Sequence, residues 1–211
     1  MEGSMDLYFS PMACSMATRI AAYEAGADIR FLKVDTKARP KRVEDGTEFL
    51  TVNAMGQVPV LRADDGELIV ENAVILQYVA DRFPAAGLIP AEGAERRKVQ
   101  SWLSFVSSEL HTGAFIPLLS KTAPEGAKAF ARELLAERLA YLDAHLQGRE
   151  FLQGKFSVAD AYLFVMLTWA RYLSIDFSPY PALSAYRDRL QTRPSVARAF
   201  DEEFTLFKAA A

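Results

Sequence analysis

The sequence predicts an α/β plus all-α chain: a small unit in the order βαβαββα, then an all-helical domain. Three observations carry this. Up to residue 84, short β-like runs alternate with helical patterns. A Pro/Gly-rich segment, PAAGLIPAEG, interrupts the chain. Beyond it, every long segment repeats its apolar residues at the three-and-four spacing of a helix. The domains read from this pattern cover residues 5–84 and 93–207.

The elements follow in order. DLYF is a short strand, and CSMATRIAAYEAG is a helix stopped by Gly26. IRFLKV is a second strand, and GTEFLTVNAMG is an irregular or helical crossover. VPVLRADDGELIVEN sets two apolar runs around Asp64-Asp65-Gly66, the signal of a hairpin. ENAVILQYVADRF closes the unit as a helix. In 94–120 the residues Val99, Trp102, Leu103, Val106 and Leu110 form the core stripe of one long helix, and 126–146 repeats the pattern. The stretch 156–173 is apolar nearly all round and reads as a buried central helix. Its run AYLFVMLTWA has 10 residues, against about 20 needed to span a bilayer. Shorter helices follow over 181–191 and 194–207. In FSVADAY, Ser157 and Asp160 have the spacing of a capping box, with Phe156 and Ala161 placed to close a hydrophobic staple, so this motif serves folding.

A net charge of -3 in 211 residues gives no basic footprint for nucleic acid or an anionic membrane. A single cysteine excludes an internal disulfide. MEGSM is neither an arginine-rich nor an apolar leader and reads as a short lead, with Met5 as the native start. The expected location is the cytoplasm.

That single cysteine, Cys14, stands between the first strand and the first helix. A helix N-terminus offers partial positive charge and unpaired N–H groups, which favour a thiolate and lower the thiol pKa. The alternative is a small buried apolar side chain. Cys14-Ser-Met-Ala17 holds no second cysteine, so a dithiol cycle is excluded and any thiol chemistry takes its other sulfur from outside. Val58-Pro59 stands where the crossover enters a strand. Proline fits there either as a trans edge residue or as a cis bond leaving the Val58 backbone to an extended peptide. Asn72 suits an N-cap; N–H groups at that end suit a carboxylate, and Glu71 suits an ammonium group. Plain capping beside a solvated glutamate is the alternative. Ser101, Ser104, Ser108, His111 and Phe115 step by three and four and share a face, which is either solvated or lines a cleft. Of the two histidines, His111 is the better placed to meet Cys14, while His145 reads as a favourable helix C-terminal charge.

Taken in order, DLYFSPMACS, GQVPVL, ENAVILQYVAD, WLSFVSSELHTG and FSVADAYLF resemble the cytosolic glutathione transferases, most closely the bacterial beta class, from about Met5 to Phe204. The resemblance implies a thioredoxin-like first domain, a homodimer, and glutathione bound as cosubstrate in the cleft between domains, with no metal. It implies that Cys14 contacts the glutathione sulfur, with which it can form a mixed disulfide, and that His111 lies near that sulfur. Val58, preceding a cis Pro59, pairs its backbone with the cysteinyl part. Glu71 and Asn72 hold the γ-glutamyl end, and Lys41 lies near the glycine carboxylate. Ser104, Ser108 and Glu109 contribute from the long helix, some of them across the dimer interface. Three departures stand out. Asn72 occupies a position that is serine or glycine in this group. TKARPKRVEDG is two residues longer than the family pattern, which leaves Arg39 competing with Lys41. Arg19 replaces an expected histidine, a feature closer to the zeta class, whose members include maleylacetoacetate isomerases.

The implied activity is conjugation of the glutathione thiolate to a small electrophile, with hydrogen bonds to the thiolate from Cys14, Ser15 or His111. The electrophilic or hydrophobic substrate is expected near Phe115, Trp169 or Tyr172. A thiol-transferase or peroxidase side activity would use a mixed disulfide at Cys14. A glutathione-dependent isomerase of the maleylacetoacetate type and a non-catalytic carrier of apolar ligands are the competing readings.

Overall fold

Strand β1 (Met5–Phe9) is buried along its whole length and centres the first sheet in a computed structural model that describes residues 4–209. Residues 1–3 of the expected lead lie outside the described residues. β1 pairs in parallel with β2 (Ile29–Asp35) and antiparallel with β4 (Val60–Arg62). β5 (Leu68–Val70) and a two-residue β3 (Arg42–Val43) complete the order β3-β2-β1-β4-β5. Among the described residues the only parallel pair is the one bridged by α1 (Met16–Ala25), since a parallel return needs a crossover. The hairpin forms as predicted, with Val60 facing Val70 and Gly66 at φ +90 in the turn.

Alternation of side chains gives the sheet two apolar faces. On one, Tyr8, Val34, Val43 and Val60 pack with Phe49. Phe49 begins a 3₁₀ turn, Phe49–Thr51, which is the ordered part of the predicted crossover. Against the sheet unit stand α1 and α2 (Asn72–Arg82), which pack on each other. Gly26 ends α1 in the left-handed conformation at φ +62, a position glycine takes without steric cost.

The second unit covers Ile89–Arg193. The predicted long helix is three segments: α3 (Gly93–Phe105), a π-helical stretch over Val106–Phe115, and α4 (Ile116–Leu119). α5 (Glu125–Leu146), α6 (Val158–Tyr172) and α7 (Pro181–Gln191) follow close to prediction. Residues 158–167 of α6 are all buried, and no helix among the described residues is long and apolar enough to cross a membrane. The capping box forms: Asp160 accepts from the Ser157 N–H at 2.9 Å and the Ser157 hydroxyl at 2.7 Å. The same carboxylate accepts from the Leu152 N–H at 2.9 Å and the Tyr186 hydroxyl at 2.8 Å, so one buried acid ties α7 and the preceding loop to the start of α6.

The final helix, α8 (Pro194–Ala209), groups with the first unit, which runs through Leu88. The sequence pattern groups residues 194–207 with the helical domain. Packing places them otherwise because α1 buries Arg19, and the carboxylates that satisfy Arg19 lie on α8.

Candidate functional site

The first unit builds its chemistry around the turn from Ser10 to Ser15. The Ala13 N–H donates to the Ser10 carbonyl at 3.1 Å, and Met12 takes a positive φ of 60. The Met12 N–H donates to Glu203 Oε2 of α8 at 2.8 Å. Glu203 is fully buried, and its other oxygen accepts from Arg19 Nε at 3.0 Å. The Arg19 guanidinium lies 4.5 Å from the Phe9 ring centroid and 3.8 Å from that of Phe31, and also donates to Glu202 at 3.2 Å. Arg19 is thus a scaffold residue. Burial pushes Glu203 up to about 7, outweighing the downward pull of Arg19 and of the Met12 N–H.

Cys14 is 6 % exposed, and its thiol donates to the carbonyl of Val58 at 3.6 Å. The Val58–Pro59 bond is cis. Burial pushes the thiol up to about 12; the backbone N–H groups of Cys14 and Ser15 pull it down by less, and Glu203 and Glu71 push it further up. This reverses the expected lowering, because desolvation of a buried sulfur exceeds what two N–H dipoles supply. In this structure Cys14 is a neutral donor. Ser15 is fully buried, and its hydroxyl donates to the Ser10 carbonyl at 3.3 Å.

The two cationic competitors differ in use. The Arg39 guanidinium donates to the carbonyls of Thr36, Lys37 and Ala38 within its own loop. Lys41 Nζ reaches the loop before Val58 and donates to the Gly56 carbonyl at 2.6 Å. Gly56 sits at φ +62, and a Cβ there would meet Leu50 Cδ2 at 3.1 Å and Lys41 Nζ at 3.6 Å.

At α2 the cap is Glu71, not Asn72. Glu71 is exposed and takes φ 68, ψ 114, so the helix begins one residue earlier than a cap at Asn72 predicts. Asn72 is turned inward at 5 % exposure because its Oδ1 accepts from the Thr18 hydroxyl of α1 at 3.1 Å. Its Nδ2 is buried with no partner among the described residues. An unsatisfied buried donor is costly, about 1–3 kcal/mol, and such groups call for a partner.

In the second unit the π-helical segment carries His111. A π-turn is wider than an α-turn, so the three-and-four stripe does not stay on one face. Ser101, Ser104 and Ser108 are exposed, His111 is half-buried, and Phe115 is fully buried. The Ser108 hydroxyl donates to the Ser104 carbonyl at 3.0 Å, and Glu109 pairs with Arg138 of α5 at 2.9 Å. His111 Nδ1 lies 2.6 Å from the Tyr162 hydroxyl. The Trp169 ring meets His111 edge-on at 5.1 Å and Phe115 at 6.0 Å. Tyr172 is 72 % exposed and makes no ring contact with them. Burial pulls His111 down to about 4, so its ring is neutral near pH 7. His145 is bound to the Leu152 carbonyl at 2.9 Å, and its ring is tilted against that of Trp102 at a centroid distance of 4.5 Å.

Sequence reasoning missed Tyr162, Glu203 and Thr18 as partners of these groups. Tyr162 was legible: it stands seven residues, two helical turns, before Trp169 and so shares its face. Glu203 and Thr18 left no local signal.

Comparison with known proteins matches the chain to two family domains. Residues 3–81 match the family model described as the N-terminal domain of glutathione S-transferase, and residues 125–189 the one described as its C-terminal domain. Glutathione S-transferase GstA of Escherichia coli O157:H7 is 37% identical over 201 residues, covering 94% of this chain and 98% of the relative. A sphingomonad glutathione S-transferase solved in complex with glutathione is 47% identical, with a TM-score of 0.88 over 94% of this chain and 98% of the other. The beta-class enzyme of Sphingomonas chungbukensis is 45% identical with the same TM-score, 0.88, and the same coverage of 94% and 98%. Maleylacetoacetate isomerase of Mus musculus is more distant, 27% identical over 82% of this chain and 80% of the relative.

Proposed function

Because the chain belongs to the glutathione S-transferase family, we propose that it binds glutathione and transfers its sulfur to a small electrophilic carbon compound. The observation that carries the reading is the pairing of the Cys14 thiol with the Val58 carbonyl beside Pro59. It sets a thiol against backbone suited to an extended γ-glutamyl-cysteinyl peptide. Lys41 is assigned to the glycine carboxylate, and Glu71 to the γ-glutamyl ammonium group. The buried Nδ2 of Asn72 and the first N–H groups of α2 are left for the γ-glutamyl carboxylate. Ser104, Ser108 and Glu109 are assigned supporting contacts, and His111 a hydrogen bond to the glutathione sulfur.

The neutral state of Cys14 ranks conjugation ahead of redox work. A neutral thiol donates a hydrogen bond to a neighbouring thiolate; a mixed disulfide needs Cys14 itself ionised. The isomerase reading loses its motive, since Arg19 is buried between aromatic rings and paired with Glu203. The electrophile is assigned to the side chains about Trp169 and Phe115; homodimerisation and a cytoplasmic location complete the proposal on family grounds.

The test is calorimetry with glutathione, followed by turnover of a chlorinated dinitrobenzene by wild type and Cys14→Ala. Saturable binding, with conjugation retained and disulfide exchange lost in the variant, supports the reading. Binding without turnover of any electrophile or disulfide makes the chain a carrier. Loss of both activities in Cys14→Ala sinks the division of labour.

A further inference from the structure

We propose that Tyr162 is a positioning residue that fixes the His111 imidazole as its Nε2–H tautomer, so that His111 acts on the glutathione sulfur as a hydrogen-bond donor and not as a base. The role at the sulfur rests on the reading above; the tautomer rests on the geometry of the second unit alone.

The argument begins with the 2.6 Å separation of Tyr162 Oη and His111 Nδ1. One of the two groups donates. A phenol, of pKa about 10, is the stronger acid, and an unprotonated ring nitrogen is a far stronger base than a phenol oxygen. The shared proton therefore belongs to Tyr162, and Nδ1 accepts. The imidazole is neutral near pH 7, because burial holds it down to about 4. A neutral imidazole carries one N–H, and with Nδ1 accepting, that proton is on Nε2. Nε2 has no hydrogen-bond partner among the described residues.

The surroundings hold this arrangement in place. Tyr162 is 1 % exposed, on the fully buried stretch of α6, so its hydroxyl cannot turn to solvent. Tyr162 and Trp169 present ring edges to His111 at centroid distances of 5.9 and 5.1 Å, at interplanar angles of 78° and 71°. Two aromatic contacts and one hydrogen bond set the plane and the rotation of the imidazole. A donor placed this way stabilises a thiolate without accepting its proton, which leaves for solvent or another base.

The test is long-range ¹H–¹⁵N correlation on the ¹⁵N-labelled full chain, where only two histidines contribute signals. His145→Gln identifies the His111 resonances. At pH 7, wild type should show the proton on Nε2 and Nδ1 as a hydrogen-bonded acceptor. Tyr162→Phe should shift His111 to a mixture of tautomers and lower kcat/KM by about tenfold, the worth of one hydrogen bond. A wild-type ring protonated on Nδ1, or a spectrum unchanged in Tyr162→Phe, overturns the proposal whatever the activities are. An Nε2–H spectrum together with a His111→Ala variant of undiminished kcat/KM overturns the placement of His111 at the sulfur, and leaves the tautomer assignment standing.

Discussion

The thiol of Cys14 donates to the carbonyl of Val58 across 3.6 Å, fastening the turn before α1 to the residue that precedes Pro59. The thiol is pushed up to about 12 against an ordinary 9.0. Its thiolate fraction at pH 8 is then about 10³-fold below that of an unfolded chain. Iodoacetamide should modify Cys14 about 10³-fold more slowly in the native protein than in urea. Equal rates would refute a desolvated thiol.

Lys41 and Arg39 separate by what they hold. Arg39 binds three carbonyls of its own loop, whereas Lys41 reaches Gly56 at 2.6 Å. Lys41→Ala should raise KM for glutathione about tenfold, the worth of one charge-assisted hydrogen bond, and Arg39→Ala less than about twofold. The reverse order in steady-state kinetics would transfer the role to Arg39.

Glu203 and His111 tilt stability with pH in opposite senses. The folded value of Glu203, about 7, lies above its ordinary 4.5, so its contribution is complete below about 4.5 and is lost as pH rises through 7. The folded value of His111, about 4, lies below its ordinary 6.5, so its contribution is complete above 6.5 and is lost as pH falls through 4. Relative to wild type, Glu203→Gln should gain stability on going from pH 4.5 to 7, and His111→Gln should lose it over the same range. Urea titrations across that range, compared as differences, check both; profiles parallel to wild type would contradict them.

Gly113 lies inside the π-helical segment, where a Cβ would stand 2.9 Å from the Ser108 carbonyl oxygen and 3.1 Å from Leu134 Cδ2. The first neighbour is backbone and cannot step aside. Gly113→Ala should destabilise by about 1–3 kcal/mol despite alanine's better helix propensity. A Tm equal to or above wild type would show that the segment readily converts to an α-helix.

The strands other than β3, the Asp64–Gly66 hairpin, Gly26 and the Ser157–Asp160 box were legible, because each depends on neighbours within a few residues, whereas the two-residue β3 carries no pattern of its own. The π-helical turn was not legible. Its residues have ordinary helical periodicity, and nothing in their order marks the widening over Val106–Phe115. The cap of α2 shifted from Asn72 to Glu71 because Thr18, 54 positions earlier, claims the asparagine. The thiol's direction of shift failed for a similar reason: the turn pointed to N–H dipoles, while the buried surroundings come from distant parts of the chain. The positions of Cys14 and Val58 stand in the motifs and Lys41 follows only from the family resemblance, but the bonds from Cys14 to Val58 and from Lys41 to Gly56 are facts of the tertiary fold.

The docking of α8 on α1 has a consequence for the order of synthesis. Arg19 meets Glu203 across 184 positions of chain. At about 5–20 residues per second, the ribosome delivers that carboxylate roughly 10–40 s after the arginine. During this interval the nascent first unit carries a guanidinium placed for burial with no counter-charge, and a Cys14 turn lacking its Met12 anchor. The unit therefore reaches its native form only after the whole helical unit has been made, so the segment translated first is among the last to be finished.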